Sequence, residues 1–297
     1  MKKLICLTFA ALIVSCVFAQ TKTGEHEWKI TLHILDESGS PVAGASAGVG
    51  FFTNSTPTGI DGITDTNGNF VVTHSDTPSE SAYPLSFRIE KQGYYFTWAQ
   101  VDLGQGYDPA KWNQSVTLTL KKVGKPIAMY AKQIHSLVVP EFNKAIGYDL
   151  MVGDWVGSYG KGVNIDLFIT EKHTTPQSNY ILSVSFPQLG DGIQEFTVPD
   201  AENGSGLRSA HEAPVDGYRS EVSQTTMANP NRNFYFRVRT KLDENGNVVS
   251  ARYGKIYGDL AQFTYYFNPT LNDRNVEFDP KQNLLGGIQS FQQVTAP

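Results

Sequence analysis

Five carboxylates in loop-rich stretches, Asp154, Asp191, Glu195, Glu212 and Asp216, have the most chemistry to offer. Glycoside hydrolysis needs two carboxyl groups roughly 5 to 10 Å apart on either side of a scissile bond, and a pair of these acids drawn together by folding meets that need. Trp155, Tyr159 and Tyr218 lie among them, and flat aromatic faces suit sugar rings. The competing role is architectural, since an aspartate beside glycine shapes a turn by accepting hydrogen bonds from nearby backbone. Spacing alone places no two of the five together, so turn-making is the first expectation and a catalytic pair the alternative.

A second set is cationic. Asn245-Gly246 is a strong signal for a two-residue type I′ hairpin. Taking these two as the turn pairs Glu244 with Asn247, Leu242 with Val249, Val238 with Tyr253 and Phe234 with Tyr257 on one apolar face. Arg237, Arg239, Lys241 and Arg252 then share the other face, with Arg239 directly opposite Arg252. Like charges so placed repel by about a few tenths of a kcal/mol, which predicts an anion nearby. A carboxylate from a neighbouring strand or loop is the simpler source and an acidic polysaccharide the alternative, so Arg237, Arg239 and Arg252 are candidate ligand-binding residues.

Aromatic residues supply the third set. Tyr94, Phe96 and Trp98 alternate along one strand against Tyr95, Thr97 and Ala99, and one of these faces is expected in the core. Trp98, Tyr107 and Trp112 lie near the strand end and the following loop, where side chains are less committed to burial. Trp98, Trp112, Trp155 and Tyr159 are therefore candidates for a glycan-binding platform.

Other chemistry fails on spacing. The six histidines, His26, His33, His74, His135, His173 and His211, form no i, i+4 pair and no HExxH, so no metal site is expected. Asp65-Thr66-Asn67-Gly68-Asn69 and Asp243-Glu244-Asn245-Gly246-Asn247 look like the starts of calcium loops but lack the glutamate at the twelfth position. Gly44-Ala45-Ser46-Ala47-Gly48 satisfies GxSxG, yet that elbow needs a strand turning into a helix, and Val49-Gly50-Phe51-Phe52 predicts a continuing strand. Gly104-Gln105-Gly106-Tyr107 lacks the third glycine of a dinucleotide loop, so no cofactor is expected.

The elements that must position these residues are strands. Trp28, Ile30, Leu32 and Ile34 alternate with Lys29, Thr31 and His33, and the same period returns in Leu85 to Ile89 and Val116 to Leu120. Turn clusters rich in Asp, Asn and Gly separate the runs. Val123-Gly124-Lys125-Pro126 interrupts the pattern as a linker. Beyond it, strands are predicted over Ile127 to Ile134, Val163 to Glu171, Tyr180 to Phe186, Phe234 to Leu242, Val248 to Tyr257 and Phe263 to Phe267. With no amphipathic helix competing, the chain is expected to be all-β: a sandwich over residues 27–122 and an antiparallel sandwich or jelly roll over 123–297.

The first unit carries a family resemblance in Asp36, Gly39, Pro41-Val42 and Gly44-Ala45, then Thr64-Asp65, Gly68 and Phe70, then Lys91 with Gly93-Tyr94. It resembles the carboxypeptidase regulatory-like domain, a transthyretin-like, Ig-like β-sandwich. The resemblance implies a non-catalytic accessory module common in exported bacterial proteins. The second unit is similar to a region of uncharacterised exported bacterial proteins, which brings no activity with it.

Compartment follows from the N-terminus. Met1-Lys2-Lys3, the apolar run Leu4 to Phe18 and the small Ala19 read as a signal peptide over residues 1–19. Ile13-Val14-Ser15-Cys16 also resembles a lipobox, so Cys16 is a minority candidate for lipid anchoring to a membrane. Cys6 and Cys16 both lie in the leader, which leaves the exported chain without disulfides. The net charge of −5 and the absence of a basic tail argue against nucleic acid as a partner. The expected protein is an exported binding or structural component of the bacterial envelope, with a polysaccharide as its ligand; the alternative is a carbohydrate-active enzyme using paired carboxylates.

Overall fold

The computed structural model describes residues 26–53, 56–76, 85–101, 113–174, 179–199, 204–225 and 231–297. Residues 1–19, Tyr107 and Trp112 lie outside the described residues, and with them the leader, Cys16 and one proposed ligand contact. The fold is all-β, with no α-helix among the described residues.

The first sandwich faces a three-stranded sheet against a four-stranded one. Strand β1 (His26–Asp36) lies between β4 (Asn69–Asp76), antiparallel, and β7 (Ser115–Leu120), parallel. The facing sheet runs β3 (Thr56–Ile63), β2 (Ser46–Thr53), β5 (Leu85–Glu90), β6 (Thr97–Val101), all antiparallel. The period-2 pattern of β1 turns Trp28, Ile30, Leu32 and Ile34 inward onto Val49, Phe51, Phe87 and Ile89, which forms this core. The GxSxG serine, Ser46, opens strand β2 and is followed by strand to Thr53, as its context predicts.

The second sandwich is larger. One sheet runs β10 (Asp154–Trp155), β9 (Ile146–Asp149), β11 (Leu167–Thr174), β12 (Asn179–Ser185), β14 (Glu221–Thr225). The other runs β13 (Gly192–Phe196), β15 (Asn233–Leu242), β16 (Val248–Gly258), β17 (Phe263–Phe267), β8 (Ile127–Ile134), β18 (Phe278–Asn283). Between them pack Ile146, Tyr148, Leu167, Ile169 and Leu182 against Phe234, Phe236, Val238, Ile256 and Phe267. The six-stranded sheet is covered on its other face too, where Tyr235, Tyr253, Tyr257 and Tyr266 meet Ala213, Val276, Phe278 and Val294. A strand buried on both faces is apolar on both, and β16 is an example.

The β15–β16 hairpin forms, but not in the predicted register. Asp243 Oδ1 accepts the amides of Asn245 (2.9 Å) and Asn247 (2.7 Å), and only Gly246 takes a positive φ, 82°. A type I′ turn requires positive φ at both central residues. The aspartate instead stabilises a longer loop, which pairs Leu242 with Val248 and Phe234 with Ile256. Phe234 and Tyr257 consequently enter different cores.

A bulge then separates the arginines. Val238 pairs with Arg252 and Lys241 with Ser250, leaving Arg239 and Thr240 opposite a single residue. Arg239 adopts φ 55°, and the carboxylate of Asp191 accepts both bulge amides, from Thr240 at 2.8 Å and Arg239 at 3.2 Å. The predicted Arg239–Arg252 opposition does not exist. The predicted strand from Val163 also begins later, at Leu167, because the amides of Val163 and Asn164 turn to Asp149 Oδ2 at 3.0 and 2.8 Å.

Candidate functional site

The cationic stripe resolves into separate contacts within the protein. Arg239 donates through Nε and Nη2 to the two oxygens of buried Asp166 at 2.7 and 3.1 Å, with Asp149 Oδ1 3.7 Å away. Arg237 donates to the carbonyls of Gly190 (2.8 Å) and Val215 (3.1 Å), and Arg252 to that of Pro269 (2.8 Å). The carboxylate predicted to compensate this region is Asp166, from the loop before β11.

The five acids are dispersed. Asp191 is buried at the bulge, and burial raises its pKa above the ordinary aspartate value despite the amides it accepts. Asp154 shapes its own turn, accepting the amides of Trp155 and Lys161 at 2.9 Å each. Glu195 grips Arg232 through both oxygens at 2.8 Å, and that guanidinium holds it below the usual carboxylate range. Glu212 is ion-paired with Arg274. Asp154, Glu212 and Asp216 line three different depressions of the described surface.

Two of the aromatic candidates are engaged in packing. Trp155 meets Tyr148 edge-on at 5.2 Å, and Tyr159 donates to Glu141 and accepts from Lys144 Nζ at 2.7 Å. Trp98 is different. On β6 and the residues leading into it, the face carrying Tyr95 and Thr97 is buried, while Phe96 and Trp98 point outward, 47% and 49% exposed.

That outward face borders a cleft. The segment at Gly204–Gly206 adds itself to β6, with Trp98 N–H donating to Gly204 O at 3.0 Å and Gly206 N–H to Phe96 O at 2.8 Å. A Cβ on Gly204 would collide with the Trp98 carbonyl, so this close approach requires glycine. The cleft, about 1000 Å³, is lined by Phe96, Trp98, Ser205, Arg208, Tyr257 and Tyr266 and is bounded by Ala296 and Pro297. Its walls come from both sandwiches.

The cleft floor is tightly organised. Tyr257 and Tyr266 pack edge to face at 5.3 Å, and the Lys255 ammonium lies 4.6 and 4.7 Å from their ring centroids. Lys255 Nζ donates to Tyr257 Oη at 2.8 Å and Ser209 Oγ at 3.2 Å. Complete burial pushes this amine well below the ordinary lysine range and Tyr257 above the ordinary tyrosine one. Lys121 Nζ donates to Ser209 O at 2.9 Å, and the Arg208 guanidinium stacks 4.4 Å above the Tyr257 ring.

Trp98 was legible as a site candidate, whereas Arg208, Tyr257 and Tyr266 were not. Arg208 stands in Leu207-Arg208-Ser209 without periodic context. The two tyrosines belong to strands whose apolar residues alternate onto both faces, a pattern that marks double cover but not the edge where cover stops.

No family model matches the chain, and no curated protein sequence matches it. Among solved structures it is similar to 3-chlorocatechol 1,2-dioxygenase from Rhodococcus opacus, at 16% identity and TM-score 0.26, covering 33% of this chain and 60% of that one. It is also similar to a streptococcal ancillary pilin, at 13% identity and TM-score 0.24, covering 84% of this chain and 60% of the pilin. A DUF3823 family protein from Parabacteroides merdae aligns at 8% identity and TM-score 0.22, over 85% of this chain and 98% of that one.

Proposed function

We propose that this chain is an exported, non-catalytic binding protein of the bacterial envelope that holds a glycan in the cleft lined by Phe96 and Trp98. The observation that carries the reading is this pair of large aromatic side chains on one strand face, both about half exposed beside a cleft of about 1000 Å³. An exposed apolar patch beside a cleft is a common mark of a binding surface, and aromatic faces pack against the C–H faces of sugar rings. The leader-like residues 1–19 support export. The accessory-module resemblance of residues 27–122 supports a binding role built from that unit and residues 123–297 together. Each proposed acid other than Asp216 is committed to a partner within the fold, which favours binding over hydrolysis.

Replacing Trp98 with alanine is expected to weaken glycan binding about tenfold or more, the size of effect typical of an aromatic anchor. Its exposure predicts little change in folding stability. Titration calorimetry of wild type and W98A against a panel of bacterial and plant polysaccharides tests this. A wild-type chain that binds no polysaccharide, or a W98A variant that binds as tightly as wild type, contradicts the proposal.

A further inference from the structure

Four arginines of the described structure each meet a carboxylate: Arg88 with Asp61, Arg232 with Glu195, Arg239 with Asp166 and Arg274 with Glu212. Arg237 and Arg252 are taken up by backbone carbonyls, and Arg219 is exposed on the surface away from the cleft lining. Arg208 has only the Tyr257 ring beneath it, and no hydrogen bond or ion pair engages its guanidinium among the described residues. The ring contact takes up none of the five N–H donors of the guanidinium, which are left for the cleft that Arg208 lines.

A second group points the same way. Ser205, 5% exposed, lines the same cleft, and its Oγ is buried without a hydrogen-bond partner. A buried hydroxyl left unpaired is costly, so the cleft wall keeps an unused donor. No aspartate or glutamate side chain lines the described part of the cleft, whereas Lys121 stands behind Ser209. The Arg208 and Lys121 charges therefore favour an anion there.

We infer that the cleft selects an acidic sugar, a uronate whose carboxylate pairs with the edge of Arg208 while its ring lies on Trp98 and Phe96. This rests on the glycan-binding reading and specifies its ligand. The planar fork of arginine matches a carboxylate through two parallel hydrogen bonds. Tyr257, fixed beneath by Lys255 and Ser209, holds that fork in place.

The test uses oligogalacturonides and the same oligosaccharides methyl-esterified, which differ only in charge and in carboxylate geometry. Calorimetry with the full exported chain is expected to show the acid form binding about tenfold tighter than the ester, the worth of one charge-assisted contact. In R208Q the ratio should fall to about one, and in R208K it should be intermediate, because lysine keeps the charge without the fork. Thermal melts of both variants establish that they fold. Equal binding of acid and ester to wild type, with W98A still abolishing both, overturns the uronate inference and leaves glycan binding intact. A preference that survives in R208Q overturns the role of Arg208. No binding of either form contradicts both readings for this ligand class.

Discussion

Replacing Arg239 with methionine is expected to lower folding stability by about 3 to 5 kcal/mol, the usual cost of removing one partner from a buried ion pair. Methionine keeps much of the stem volume, so lost packing is a minor part. What remains is Asp166, fully buried, with two of its three hydrogen bonds gone and only the Leu150 amide at 2.9 Å left. Asp149, equally buried, also loses the neighbouring positive charge. The bulge amides keep Asp191, so the backbone there is still held. Arg239→Gly makes a sharper comparison. It relieves a left-handed backbone worth about 1 kcal/mol or so, yet it should still destabilise because the stranded aspartates outweigh that gain. The double variant Arg239→Met with Asp166→Asn should be less damaged than the two single losses added together, since only the double variant removes both charges of the pair. Urea unfolding measures all four. An Arg239→Met variant within about 1 kcal/mol of wild type would show that Asp166 finds water or another partner, and that this pair does not tie the two sheets.

The same arginine marks how far the sequence could be read. Alternation from Trp28 to Ile34 was enough for a sandwich, since side chains of a half-buried strand must face opposite ways at each step. The β15–β16 hairpin was legible from Asn245-Gly246, but its register depends on Asp243, whose carboxylate selects a longer loop. The bulge is harder still, because the group that stabilises it, Asp191, lies 48 residues upstream of Arg239. No local pattern encodes such a contact. Asp166 was anticipated as a type of partner, a carboxylate from a loop, but not as a residue. Arg208 was invisible for a different reason: its distinction is a guanidinium at a cleft with neither a carboxylate nor a carbonyl to engage it among the described residues, which only three dimensions reveal. Trp98 was legible as a candidate because a strand-end aromatic is a local feature, whereas Gly204 to Arg208, Tyr257 and Tyr266 beside it lie more than 100 positions later.

Glu277 should be the residue whose loss most loosens the join between the sandwiches, and Glu277→Ala is expected to cost about 3 kcal/mol or more. Its buried carboxylate accepts Tyr95 Oη–H at 2.8 Å and the Gly124 amide at 2.9 Å on Oε1, and the Lys125 amide at 2.7 Å on Oε2. Tyr95 belongs to the first sandwich and Gly124 and Lys125 to the linker, while Glu277 itself leads into β18. One side chain thus ties three segments. His211 Nδ1 stands 2.9 Å from Oε1 at ion-pair distance, without the alignment of a hydrogen bond, and its Nε2 faces Glu37 at 3.2 Å. Burial by itself raises the pKa of Glu277, but the amides of Gly124 and Lys125, the Tyr95 hydroxyl and the charge of His211 outweigh it and hold the group below its ordinary value of 4.5. A depressed value in the folded state means that the unfolded chain takes up the proton first. The stabilisation is therefore complete above about pH 4.5 and is lost as the pH falls through the folded value. Asp149 is held low in the same sense, so wild type should weaken in acid for more than one reason. Glu277→Gln isolates this contribution: it places an NH2 group against a backbone N–H at neutral pH, yet has no proton to gain on acidification. The urea midpoints of wild type and Glu277→Gln should thus differ most at pH 7 and converge in acid, once the pH has fallen through the folded value and the carboxylate is neutral too. Limited proteolysis should at the same time cut the Val123–Pro126 linker faster in the variant. Midpoints that stay equally far apart at both pH values would place the stabilisation in packing, and an uncut linker would place the join elsewhere.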